Sequence, residues 1–244
     1  MNVTFLGSGD AFGSGGRFQA CMLVEAPSTR LLLDCGASSL IAMRRFGVDP
    51  ASIDAILVSH LHGDHFGGIP FFILDAQFIS HRTRPLLIAG PPGIEARVRQ
   101  TMEDLFPGSS QTKQSFTYEF LDLPQRQMTR LSGLSVTAYE VPHASGAPSY
   151  ALRVECDGKV LAYSGDSEWS EALLDVAREA DLFICESYYF EKAVRFHLNY
   201  RNLVERLPDF HCKRVILTHL GPEMHEHRSE VEIEVAEDGL SIQL

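Results

Sequence analysis

The segment Ser59-His60-Leu61-His62-Gly63-Asp64-His65 brings four side chains that can bind a cation into one short stretch. Imidazole and carboxylate are the ligand types zinc prefers. Three histidines this close cannot all carry protons cheaply, whereas neutral imidazoles around a cation are stable together. The plain alternative is a polar loop whose histidines coincide. Three further titratable groups close short apolar runs: His143 after LSVTAYEVP, Asp166 at the end of KVLAYSGD and His219 at the end of RVILTH. Singly, each has an ordinary explanation. A histidine after a strand is commonly a satisfied loop residue, and an aspartate after Ser-Gly is often only a helix N-cap. As a set with the first motif, they predict one shared metal site.

Such a site needs strands that deliver ligands at their ends. Residues 53–58 (IDAILV) read as a buried strand, and the histidine motif follows at its C-terminal end, where α/β sites tend to lie. A strand sends alternate residues to one side, so His60 and His62 can point together. Gly63 then allows a turn that carries Asp64 and His65 to a neighbouring point. Upstream, 2–6 reads as a strand, Gly7 to Gly16 as a glycine-rich loop, and 20–25 with 30–34 as a hairpin. Residues 37–46 read as a helix stopped by Gly47 and Pro50. A helix from near Asp64 or Gly67 to Ile79, a strand at 85–89, a helix at 93–106 and a polar loop at 109–114 follow. Strands are expected at 116–123, 134–141, 149–156 and 159–163, with Asp157-Gly158 as a hairpin turn. Next come a helix at 168–178, a strand at 181–185, a helix at 199–207 and a strand at 213–217. The tail, 231–243, reads as a strand pair turned at Asp238-Gly239. Strands in both halves, each set followed by helices, imply two sheets faced by helices. No linker divides them, so residues 1–244 are expected to form one domain.

In order and spacing these segments resemble the metallo-β-lactamase fold superfamily, and within it the ribonuclease Z and related phosphodiesterase branch. The likeness runs from Phe5-Leu6-Gly7-Ser8-Gly9 and Leu33-Asp34-Cys35-Gly36 to Leu217-Thr218-His219. It implies an α/β fold, a four-layer αββα sandwich, with two divalent ions in a cleft between the sheets. By motif position His60, His62 and His143 would bind one ion, Asp64, His65 and His219 the other, and Asp166 both. Zinc is the expected metal, although manganese or iron also suits such a ligand set. Two ions roughly 3.5–4 Å apart share a water and lower its pKa. The resemblance thus implies a hydrolase whose nucleophile is a metal-bridging hydroxide, with Asp64 orienting the attacking water.

The leaving group needs a proton. Cys185-Glu186-Ser187 and His197-Leu198-Asn199 resemble the branch's glutamate and histidine pair, which implies His197 as general acid and Glu186 as its orienting partner. This pair favours a small phosphodiester or nucleotide-like substrate. A carboxyl-ester, lactone or thioester hydrolase on the same metals is the alternative. A non-catalytic metal-binding module would need an incomplete site. The chain also departs from the branch's pattern. It has no glycine- and lysine-rich insertion of the tRNA-gripping kind, and Leu-Asn rather than Ser-Thr follows His197. Ala144 to Tyr150 lacks the usual glycine before the tyrosine-like position. The N-terminal cysteine zinc site of the phosphonate-pathway phosphodiesterases is missing, since Cys21 stands alone. Weaker candidates remain. The glycine-rich loop could hold phosphate, and Arg17 could reach an anionic substrate from it. Phe71, Phe72, Ile73, Phe78 and Ile79 read as core, part of it walling the pocket. His225 and His227 read as exposed, and His81, Arg82 and Arg84 as a solvated turn.

Composition bounds the rest. The chain has 244 residues, 45% of them hydrophobic, enough for a sizeable core. The net charge of −11 makes long nucleic acids poor default partners, while two bound cations would reverse the field locally for a small anionic ester. Five widely spaced cysteines without C-x-x-C fit a reduced, cytoplasmic setting. No basic start with an apolar run opens the chain, and no stretch is long and apolar enough to span a membrane. A homodimer is common among similar proteins, but no residue here requires one.

Overall fold

A computed structural model describes residues 1–131 and 133–244. Two sheets carry the architecture. Among the described residues the first has seven strands and the second six. In the first sheet, β1 (Asn2–Gly7), β2 (Cys21–Ala26) and β3 (Thr29–Leu33) form an antiparallel set. From β3 the sheet continues parallel through β4 (Ala55–Leu57), β5 (Leu86–Gly90) and β6 (Tyr118–Asp122). In the second, β7 (Thr129–Leu131), β8 (Leu134–Val141), β9 (Ser149–Cys156) and β10 (Lys159–Tyr163) are antiparallel neighbours. The strands β11 (Leu182–Glu186) and β12 (Val215–Thr218) add on in parallel.

Three apolar layers explain why the chain stacks this way. Val3, Met22, Leu33 and Leu57 from the first sheet meet Val136, Leu152, Tyr163 and Ile184 from the second in a core between the sheets. The first sheet's outer face buries Leu32, Ile56 and Ile88 against Met43 of α1 (Ser39–Arg45), Ile73 of α3 (Ile69–Phe78) and Val98 of α4 (Ile94–Leu105). The second sheet's outer face buries Phe183 and Leu217 against Leu173 of α5 (Glu171–Ala177) and Leu203 of α6 (Tyr200–Arg206). The strands β3, β4, β5, β11 and β12 are apolar on both faces, as a sheet covered on both sides requires. The αββα sandwich expected from the sequence is the fold observed.

Several local expectations change. The helix expected to reach Ile79 is two pieces, α2 (Gly63–Phe66) and α3, because Gly67 and Gly68 pack too closely for side chains. A Cβ on Gly68 would lie 2.2 Å from Gly36 O. The short strand β7 and helix α7 (Pro222–Glu226) were not anticipated. The tail is not a hairpin. Val235 bridges Leu217 of the second sheet, whereas β13 (Ser241–Gln243) pairs with β1 of the first. The alternating tail supplies an edge to each sheet instead of pairing with itself. No helix among the described residues is long and apolar enough to cross a membrane.

Candidate metal centre

All seven sequence-predicted ligands stand at the C-terminal ends of strands on one rim of the sandwich. His60 and His62 follow β4, Asp64 and His65 lie on α2, His143 follows β8, Asp166 follows β10 and His219 follows β12. Their ligand atoms form two groups. His60, His62, His143 and Asp166 lie within 4.8 Å of one another, and so do Asp64, His65, Asp166 and His219. Asp166 belongs to both. Within the first, His62 Nδ1 is 3.2 Å from His60 Nε2 and 3.0 Å from His143 Nε2. Within the second, His65 Nε2 is 3.3 Å from Asp64 Oδ2, Asp166 Oδ1 and His219 Nε2. His219 Nε2 lies 3.2 Å from Asp64 Oδ2 and 3.6 Å from Asp166 Oδ2. Apart from His62, these residues are buried.

The hydrogen-bond network fixes which ring nitrogen carries a proton. Asp34, fully buried after β3, accepts from Ser59 N–H at 2.7 Å and from Ser59 Oγ at 2.8 Å. It also accepts from His65 Nδ1 at 2.7 Å and from the Tyr163 hydroxyl at 2.8 Å. Ser59 Oγ has spent its proton there, so at 3.0 Å it accepts from His60 Nδ1. His143 Nδ1 donates to Phe196 O at 2.8 Å. His60, His65 and His143 therefore all turn Nε2 inward, the atom free to bind a cation when the ring is neutral. Three lone-pair nitrogens of the first group meet within hydrogen-bond distance with at most one proton to share. In the second group burial opposes charge on His65 and His219, but Asp166 and Asp64 prevail and raise the pKa of both, so a cation entering there displaces protons. Asp166 Oδ1 is moreover buried with no hydrogen-bond partner. The crowded nitrogens of the first group repel one another and the carboxylates of the second attract positive charge, so the residues fit a metal pair. Burial holds His60 well below the ordinary histidine range, the neutral form a ligand needs.

A third group joins the site. Glu186, at the end of β11, lies 3.2 Å through each carboxylate oxygen from His197 Nδ1. Glu186, His197 and His219 offer atoms within 4.8 Å of one another. Burial opposes charge on His197, but the hydrogen bond and charge of Glu186 prevail and raise its pKa to about 9. A cavity of about 270 Å³ reaches Asp64, Asp166, His197 and His219 and is also lined by Phe12, Tyr188 and Tyr189.

Other expectations are corrected. Arg17 does not face the cavity: its guanidinium donates to Ala236 O and to Ser8 Oγ, with Glu237 3.7 Å away. The glycine-rich loop is no phosphate cradle, because the Asp10 carboxylate already accepts its Phe12 and Ser14 N–H groups. Arg82 is not solvated. It is 1% exposed and donates to the carbonyls of Ala51, Ile53, Arg84 and Pro85. His225 and His227 are half-buried, the former against Gly15. Phe72 and Ile73 are core, while Phe71, Phe78 and Ile79 are exposed, and none of the five lines the metal cavity. The N-cap of α5 is Ser170, so Asp166 is not needed for that role. Sequence reasoning missed the hub formed by Asp34, Ser59 and Tyr163. The Leu33-Asp34-Cys35-Gly36 stretch was the available signal, since a charged residue directly after an apolar strand must find buried donors.

Comparisons with known proteins agree with this geometry. Ribonuclease Z of Clostridium perfringens is 24% identical over 286 residues, spanning 93% of this chain and 90% of that protein. The crystal structure of human tRNase Z, short form, superposes with a TM-score of 0.81 at 25% identity and covers 100% of this chain and 99% of that one. The metallo-β-lactamase fold protein YhfI of Bacillus subtilis gives a TM-score of 0.78 at 21% identity, covering 99% and 98% of the two chains. Fold, clustered ligands and relatives together make the chain a metal-dependent hydrolase of the metallo-β-lactamase fold, in the ribonuclease Z-like branch. The family model described as Anti-Pycsar protein Apyc1 matches residues 1–239, nearly the whole length, and the chain belongs to that family.

Proposed function

We propose that residues 1–244 act as one domain that hydrolyses a small phosphodiester, cyclic or nucleotide-like, at a two-metal centre. His60, His62 and His143 would hold one ion, Asp64, His65 and His219 the other, and Asp166 both. Zinc suits the imidazole-rich set. Bound there, two cations supply an activated water and offset charge that grows on the phosphoryl oxygens. The chain's own residues do the remainder. Asp64 would orient the attacking water. Asp34 keeps His65 in the tautomer that binds metal. His197, held protonated by Glu186, delivers a proton to the departing oxygen.

The observation that carries the phosphodiester reading is the Glu186–His197 pair, 3.2 Å apart, beside Asp166 and His219 at the cavity. An alkoxide leaving group needs such an acid, whereas a lactone or thioester needs it far less. The relatives named Ribonuclease Z argue against the expectation, drawn from net charge, that long nucleic acids are poor partners. The two zinc-loaded variants His197→Ala and His225→Ala test the reading on bis(p-nitrophenyl) phosphate. The first should lose roughly 100-fold in turnover and the second little. Hydrolysis of lactones but not phosphodiesters, undiminished in His197→Ala, would overturn it.

A further inference from the structure

Phe12 is the most exposed large apolar side chain among the described residues, at 83%. A scattered exposed ring needs no explanation by itself. Two features set this one apart. It lines the same cavity as Asp64, Asp166, His197 and His219. And the turn that carries it is built, not loose. The buried Asp10 carboxylate accepts from Phe12 N–H at 3.3 Å, from Ser14 N–H at 2.8 Å and from Ser14 Oγ at 2.7 Å. Gln19 Nε2 donates to Ala11 O at 3.0 Å, and Gly16 N–H to Gly13 O at 2.9 Å. Gly13, Gly15 and Gly16 take left-handed φ values of 67–73° that only glycine adopts easily. The loop's amides are therefore engaged by Asp10, and what it presents to the cavity is the Phe12 ring.

The rest of the lining has the same character. Tyr188 and Tyr189 also border the cavity, with their rings 4.8 Å apart. Burial and the nearby Asp10 carboxylate, the group that fixes the Phe12 turn, raise the pKa of the Tyr188 hydroxyl. One buried carboxylate thus fixes the turn that carries Phe12 and lies close to Tyr188, on a separate segment of the same cavity wall. An ordered apolar ring pays little entropy when it stacks on a ligand.

Resting on the phosphodiester reading above, we infer that Phe12 is a specificity-determining residue that stacks on a planar, nucleobase-like ring of the substrate. A phosphodiester seated at the histidines must extend its substituent along the aromatic lining. A flat ring gains stacking there, while a ringless sugar or alkyl group does not.

The test compares a nucleoside 3′,5′-cyclic monophosphate with ribose 3,5-cyclic phosphate, which lacks the base. Both are assayed with the zinc-loaded unaltered protein and with Phe12→Ala, Phe12→Leu and Phe12→Trp. Phe12→Ala should lower kcat/KM for the base-bearing ester roughly 10-fold or more, chiefly through KM, and leave the baseless ester within about two-fold. Trp should restore the preference and Leu should not. Equal losses on both esters, or Leu serving as well as Phe, would overturn the inference. If the unaltered protein cleaves bis(p-nitrophenyl) phosphate without preferring the base-bearing ester, the phosphodiester reading stands and the role of Phe12 falls. If it cleaves no phosphodiester, both fall.

Discussion

Asp34→Asn isolates the electrostatic support of the metal centre. Asparagine tolerates the left-handed backbone at this position, where φ is 59°, so the change alters charge and not chain path. Wild-type Asp34 accepts three bonds on Oδ2, from Ser59 Oγ, His65 Nδ1 and Tyr163, and one on Oδ1 from Ser59 N–H. The least damaging amide orientation keeps its oxygen on the crowded side. Those three bonds then fall from charge-assisted to neutral strength, each by about 1 kcal/mol. The amide NH2 meets Ser59 N–H donor to donor, which costs about 1–3 kcal/mol. Removing one buried charge returns part of this, leaving a net loss of about 3 kcal/mol in the metal-free protein. The weakened His65 Nδ1–H bond also makes Nε2 a poorer ligand, and loss of such support typically costs about 10–100-fold in metal affinity. Urea unfolding of the metal-free protein and a competitive zinc titration measure the two quantities. Tyr163→Phe serves as the control. It removes one of the four donors and should cost about 1 kcal/mol. Zinc affinity and stability both unchanged in Asp34→Asn would refute the assignment of Asp34 as the hub.

Two other predictions concern stability. Arg82→Ala strips a donor from the buried Ile53 carbonyl and another from Pro85 O, and opens a void beneath the 80–85 turn, so urea unfolding should show a loss of about 3 kcal/mol or more; a loss below about 1 kcal/mol would mean that the turn is as solvated as its sequence suggests. The pKa of His197 rises on folding from 6.5 to about 9, so in the metal-free protein its contribution is fully present below pH 6.5 and is lost as pH climbs through 9. With its side chain only 22% exposed, that contribution is on the order of 3 kcal/mol, and stability measured from pH 6 to 10 should fall more steeply for the unaltered protein than for His197→Ala.

The site's parts list was legible because each part obeys a local rule. His60, His62, Asp64 and His65 sit in one short stretch, and His143, Asp166 and His219 each follow a short run that reads as a strand. The two-sheet architecture was legible for the same reason, since strands apolar on both faces need a layer on either side. Function-bearing details set by long-range partners were not. Arg82 looks like a surface arginine until the carbonyls of residues 51, 53 and 85 are seen converging on it. Arg17 looks free until the tail at Ala236 claims it.

What the sequence determined alone is therefore the kind of chemistry: imidazoles and carboxylates, delivered at strand ends, for divalent cations. Tertiary structure decided which ring nitrogen faces the site, because the other is claimed by a partner distant in the chain, such as Asp34 for His65 and Phe196 for His143. It also decided that Glu186 and His197 face the metal ligands, and that Phe12 stands at their cavity with its loop's amides already taken by Asp10. Residue types and spacing carry the first kind of information. The second arises only when separated segments close on one rim, where burial makes every unmatched donor and lone pair count.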